Sequence, residues 1–256
     1  TSTATGFTVQ IGNYDSSYSW AGTATASGSV VVSGTGLVTV TGVAAGTSST
    51  ATITTTKLNT VGGSTPVTAT SLAAALTPTF GATTSTASGF TVQITNYDAA
   101  YTWAGTATAS GSVAISGTGL VTVTGVAPGT SSTATITTTR TGYVGGTAPV
   151  TATSLAAALT PTFGATTSTA TGFTVQISNY DSSYTWAGTA TASGSVVINS
   201  TGLVTVTGVA AGTSSTATIT TTKSNTVGGS APVTATSLAV APTVAIAATQ
   251  QTLIAN

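Results

Sequence analysis

Six side chains carry all the charge of this 256-residue chain, and they recur at one spacing. Asp15, Asp98 and Asp181 lie 83 residues apart, and so do Lys57, Arg140 and Lys223. Histidine and cysteine are absent. A Ser-His-Asp triad, a cysteine nucleophile and a zinc site therefore lack their parts. Glutamate is absent too, and the three aspartates fall one to a repeat, so no pair of carboxylates is placed for glycoside hydrolysis. A calcium site needs several clustered oxygen ligands, which one aspartate per repeat does not supply. Glycine pairs such as Gly62-Gly63 lack the Lys-Ser/Thr that completes a phosphate loop. The inventory points to no enzyme, no metal and no cofactor.

Other chemistry is open to these residues. Lys57 and Lys223, with Asn13 and Asn179, could form an isopeptide crosslink, but the middle repeat has Arg140, which cannot. Charge type is kept while the amine is not, so the expectation is an ion pair between Asp and base; the alternative is a solvated cation in a loop. Tyr97, Tyr101 and Trp103 could stack on a sugar, although Trp103 lies in a strand frame that would turn it to the core. Thr-x-Thr runs such as Thr135-Ile136-Thr137 could present a hydroxyl face to ice, or simply form the polar side of a strand. Asn199-Ser200-Thr201 is the only N-x-Ser/Thr sequon, making Asn199 a candidate glycosylation site; the hydroxyl-rich faces are candidates for O-linked sugar.

Charged residues are 2% of the chain and formal net charge is zero. Typical soluble domains carry roughly 25%. Such a chain has no electrostatic case for nucleic acid or anionic membrane. Its surface must be hydroxyls and small residues: residues 84–166 hold 31 Ser or Thr out of 83. Disorder is disfavoured because Val, Ile, Phe and Trp recur in alternation. No apolar run is long enough to span a bilayer as a helix; the most apolar stretch, Leu238 to Ala248, is short and contains Pro242. The opening Thr1-Ser2-Thr3 has no basic n-region, so the chain reads as a mature protein or as an excerpt from a longer one.

The 83-residue period also places Trp20, Trp103 and Trp186, and Phe7, Phe90 and Phe173. That period suits a self-contained sandwich domain rather than a solenoid coil. In the middle repeat, Pro78-Thr79-Phe80 opens a first strand and Gly89 to Ile94 alternates, with Phe90, Val92 and Ile94 inward. Tyr101 to Trp103, Ser112 to Ile115, Leu120 to Thr124, Thr133 to Thr139 and Pro149 to Ser154 follow, with Gly145-Gly146 as a loop. The expected core is Phe90, Val92, Ile94, Trp103, Val123 and Ile136. The fold expected is all-β, three tandem immunoglobulin-like sandwiches. Module 1 is residues 1–75 and lacks a first strand, module 2 is 76–158, module 3 is 159–240, and 241–256 is an extension.

The order of strand, Gly125-Val126-Ala127-Pro128-Gly129-Thr130 corner, strand and closing Ala148-Pro149-Val150-Thr151 resembles the second half of a fibronectin type III or bacterial immunoglobulin-like module. The tyrosine usual after that corner is Ser132 here, and Trp103 is placed as in immunoglobulin domains. Near-identical copies rich in Thr, Ser, Ala and Gly resemble the repeat regions of large bacterial surface proteins. The resemblance implies an extracellular or cell-surface location, and a fibre, stalk or surface filament whose partners are copies of itself or other modules of one long polypeptide. An adhesin recognising glycan or protein through loops at domain tips is the alternative.

Three further expectations follow. The apolar link Leu72 to Leu76, with no Gly-Ser run, predicts a stiff rod. Tyr97, Asp98 and Arg140, and likewise Tyr180, Asp181 and Lys223, should lie at the module end that faces the preceding module. The pattern Val240, Pro242, Val244 and Ile246 makes the tail a candidate donor strand for module 1 of another copy, or else the start of a further module.

Overall fold

In the computed structural model, residues 1–245 are described, and all regular structure among them is β-strand. Ile246, the last of the candidate donor residues, lies outside the described residues. Among the described residues no helix is long and apolar enough to cross a membrane. The chain parts into two compact units, Thr1–Ser154 with two modules and Leu155–Asn256 with one.

Module 1 holds β1(Ser2–Thr3), β2(Gly6–Gln10), β3(Ser19–Ala24), β4(Ser29–Val32), β5(Leu37–Thr41), β6(Ser48–Thr56) and β7(Gly63–Thr70). Module 2 holds β8(Phe80–Thr86), β9(Gly89–Ile94), β10(Thr102–Ala107), β11(Ser112–Ile115), β12(Leu120–Thr124), β13(Ser131–Thr139) and β14(Gly146–Thr153). Module 3 holds β15(Phe163–Thr169), β16(Gly172–Ile177), β17(Thr185–Ala190), β18(Ser195–Ile198), β19(Leu203–Thr207), β20(Ser214–Thr222) and β21(Gly229–Thr236). Every pairing is antiparallel within these sheets; module 2 has β11-β12-β9-β8 on one side and β10-β13-β14 on the other, and the other modules repeat that order. Four strands in the order first, second, fifth, fourth against third, sixth, seventh is the arrangement of a constant-type immunoglobulin sandwich.

Period-two burial builds each core. Along β13, Ser132, Ala134, Ile136 and Thr138 are buried while the threonines between them face out. Phe90, Val92, Ile94, Val121, Val123, Val126, Ala134 and Ile136 form one buried cluster. Each large apolar side chain so buried contributes about 1.5–3 kcal/mol. Gly105 lets the two sheets meet, since a Cβ there would lie 2.8 Å from both Val113 and Ile136. Outside, cross-strand hydroxyl pairs such as Thr133–Thr151 (2.8 Å) and Ser112–Thr124 (3.0 Å) stand where charged pairs would otherwise be.

Two boundaries differ from the sequence expectation. Gly146 is not a loop residue: it opens β14 and pairs with Thr138, because the strand must run far enough to meet the segment that enters the module. Pro149 sits mid-strand opposite Thr135, which the ladder tolerates because β14 is an edge. Module 1 keeps a two-residue first strand, with Ser2 opposite Phe7 and Thr3 opposite Gly6. Thr1 stands where module 2 has Thr84, so the remnant corresponds to Ser85-Thr86 alone.

Candidate functional site

The loop after the second strand and the loop before the last share one pole of each module, and nearly all the aromatic and charged chemistry gathers there. In module 2 the first loop turns at Asn96-Tyr97-Asp98. Asp98 Oδ1 accepts from the Ala100 N–H at 2.8 Å, and the indole of Trp103 donates to the Asp98 carbonyl at 2.9 Å. Trp103 is half-buried against the core cluster, and Tyr97 stacks on it at 5.3 Å. The same stack recurs at Tyr14–Trp20 (5.4 Å) and Tyr180–Trp186 (5.3 Å). Tyr97 also lies against Gly119, whose added Cβ would meet the Tyr97 ring at 2.6 Å. One face of this tyrosine is thus taken by tryptophan and another side by the chain, which leaves little flat aromatic surface for a sugar.

Base and acid do share this pole, but not as an ion pair. Lys57 Nζ donates to Ser17 Oγ at 2.8 Å and lies 4.7 Å from the Tyr18 ring centroid; Lys223 does the same with Ser183 (2.9 Å) and Tyr184 (4.7 Å). The serine intervenes between the charges, since the N–H of Ser17 caps Asp15 Oδ1 at 2.8 Å. The Ser17 N–H, then its hydroxyl, then the Lys57 charge hold the Asp15 carboxyl below the ordinary carboxylate range; Ser183 and Lys223 do the same for Asp181. In module 2 alanine stands at 100 in place of that serine, and Arg140 lies over two rings, Tyr101 at 5.2 Å and Tyr143 at 4.6 Å. The swap of Lys for Arg therefore travels with Ser17→Ala100 and Thr60→Tyr143, which reading each residue alone had missed.

The contact with the preceding link is made by backbone. In the first unit the Ala73 N–H donates to the Gly142 carbonyl (2.8 Å), and the Val144 N–H donates to the Ala73 carbonyl (3.0 Å), a parallel bridge centred on Tyr143. In the second unit Ala156 pairs likewise with the Asn225 carbonyl (2.9 Å) and the Val227 N–H (3.0 Å). Gly142, Asn59 and Asn225 occupy one position with φ of 82°, 61° and 58°, the left-handed region where glycine and asparagine are the accepted choices. This loop differs between the modules, but at that position the backbone limits the choice.

The segment that follows the link is held as firmly. Thr138 Oγ1 donates to the Leu76 carbonyl (2.7 Å), Asn96 Nδ2 donates to the Thr77 carbonyl (2.8 Å), and the Thr79 N–H donates to Asn96 Oδ1 (2.9 Å). In module 3 Thr221, Asn179, Leu159, Thr160 and Thr162 repeat these bonds. At the opposite corner the hydroxyl of buried Ser132, standing where the corner tyrosine was expected, donates to the Thr108 carbonyl at 2.9 Å. Asn199 is exposed, and its side-chain oxygen accepts from the Thr201 and Leu203 N–H groups, closing a turn. Among the described residues no cluster of three or more His, Cys, Asp or Glu could hold a metal.

No family model matches the chain, and no curated protein matches it. Solved structures do. The extracellular cadherin domains 3–6 of protocadherin gamma B2 align over 93% of this chain and 70% of theirs, at 11% identity and a TM-score of 0.28. The FN1–FN3 domains of chicken CNTN1 align over 87% and 89%, at 10% identity and 0.31. Extracellular domains 3–5 of Drosophila OTK align over 83% and 78%, at 11% and 0.31. Each is a run of consecutive domains; the fold assignment here rests on the sheet order itself.

Proposed function

We propose that this chain is a structural segment of an extracellular fibre or stalk, a tandem array of immunoglobulin-like modules in which the links that enter modules 2 and 3 are tied to the module that follows by backbone hydrogen bonds. The observation that carries this reading is the double bond of each link residue to the loop before the last strand, at Ala73 and again at Ala156. A link without those bonds would behave as a flexible tether. The nearly charge-free, hydroxyl-paired surface supports an exterior location, where O-linked sugar could add hydration. The partners are further modules of one polypeptide or copies of the chain joined head to tail, a heterologous contact that extends as a filament unless the rotation closes.

The adhesin reading has one observation in its favour, the Tyr101, Arg140 and Tyr143 cluster found only in module 2. Those rings are occupied by each other and by the guanidinium, so structure is the better reading. Antibody labelling of intact source cells, followed by electron microscopy, tests it. Label along surface fibres is expected; label confined to the cell interior would overturn the proposal.

A further inference from the structure

The fourth and fifth strands of every module meet in a short hairpin, and the third module builds it from different chemistry. In modules 1 and 2 a serine closes the turn. Ser33 Oγ accepts from the Thr35 and Leu37 N–H groups at 3.3 and 3.0 Å, and Ser116 Oγ accepts from those of Thr118 and Leu120 at the same distances. Between β18 and β19 the position is Asn199. Its Oδ1 accepts from the Thr201 and Leu203 N–H groups at 3.0 and 2.9 Å, and from the Thr201 hydroxyl at 2.8 Å. The backbone is unchanged: the Gly202 N–H donates to the Asn199 carbonyl at 3.0 Å, as Gly119 does to Ser116 at 2.9 Å. Serine therefore closes this turn as well as asparagine does, and the fold does not call for an amide here.

What the amide adds is its nitrogen. Two backbone N–H groups can be accepted only by an oxygen, which fixes the orientation of the amide. Nδ2 is left as the free end of an exposed side chain, without an acceptor among the described residues. Ser200 and Thr201 are exposed beside it. Ser200 replaces Gly34 and Gly117 of the other modules, where an added Cβ would meet nothing within 4 Å, so the tip has open space around it. Ser-Gly-Thr has thus become Asn-Ser-Thr by two changes that the turn does not require, and together they complete the one N-x-Ser/Thr sequon of the chain. We propose that Asn199 is a modification site, the acceptor of an N-linked glycan whose donor is an oligosaccharide on a polyprenyl diphosphate. Nδ2 bonds to the anomeric carbon of the first sugar as the bond from that carbon to the diphosphate oxygen breaks. The electron pair leaves with the diphosphate, and Nδ2 gives up one proton to a base of the transferase. This rests on the exterior reading above, because such transfer belongs to the export route.

Mass spectrometry of the protein isolated from its source tests this. Cleavage after Lys and Arg releases residues 141–223 as one peptide, which holds Asn199 and no second sequon. That peptide is expected to carry the mass of a glycan, and peptide-N-glycanase in ¹⁸O-water is expected to remove it and leave ¹⁸O-labelled aspartate at 199. Asn199→Gln and Thr201→Val, each produced in the source, are expected to lose the added mass. Thr201→Val is the sharper variant, since it keeps the amide and both backbone bonds that close the turn. A peptide of unmodified mass would overturn the proposal. So would aspartate at 199 without ¹⁸O, which is spontaneous deamidation, or sugar that resists the glycanase and survives in Thr201→Val, which is O-linked to a neighbouring hydroxyl. An unmodified Asn199 in protein that labels along surface fibres would defeat this site alone; label confined to the cell interior would defeat the exterior reading and this site with it.

Discussion

The hydroxyl of Thr138 donates to the carbonyl of Leu76 across 62 positions of sequence, and the same hydroxyl accepts from the Gly146 N–H at 3.2 Å. One side chain thus ties the entering segment to the last two strands. Thr138→Val keeps the shape and strands the Leu76 carbonyl without a donor, a loss of about 1–3 kcal/mol. Chemical denaturation measures it, and Thr55→Val in module 1 is expected to cost clearly less, because no carbonyl depends on that hydroxyl. Equal losses at the two sites would contradict the assignment.

Gly146→Ala and Gly63→Ala should diverge in stability. The first drives a methyl into the Leu76 carbonyl and is expected to destabilise by about 1–3 kcal/mol or to open the segment. The second is expected to stay near wild type. Thermal unfolding of the two variants side by side decides it.

The corner between β10 and β11 places Ala109 and Ser110 at φ of 54° and 59° in a turn closed by the Gly111 N–H on the Thr108 carbonyl. Two successive left-handed residues give this inter-sheet corner the type I′ geometry that favours Asn-Gly. Ala109→Asn with Ser110→Gly is therefore expected to raise stability by about 1 kcal/mol, read from the denaturation midpoint. A lower midpoint would show that the corner is not strained.

Asp15 and Asp181 should titrate below the ordinary carboxylate range, as followed by carboxyl-carbon NMR. A carboxyl whose folded value is depressed contributes stability that is complete above its unfolded value and is lost as pH falls through the folded one. Ser17→Ala removes the hydroxyl contribution and keeps the N–H, so the Asp15 value is expected to move part of the way back up. No movement would remove the serine from the account.

Much of this architecture was legible beforehand because apolar residues alternate on a strict period: Phe90, Val92, Ile94, Val123 and Ile136 are buried. The pole shared by acid and base followed from strand order. What the sequence concealed were contacts that no side-chain type announces. Ala73 has no chemistry to notice, yet its backbone makes the joint. Gly146 resembled a loop because glycine pairs usually mark one, whereas it is a strand residue made small by a neighbouring carbonyl. Charge alone suggested an ion pair; the serine and tyrosine that intervene are visible only when the two loops lie side by side.

The central claim is that the links are part of the folded modules, and backbone ¹⁵N relaxation of the full chain tests it most directly. Ala73 and Ala156 are predicted to show order parameters of about 0.85, matching the interiors of β6 and β13. Values below about 0.6 at both alanines, beside rigid strands, would contradict it and make the chain a string of independently tumbling domains.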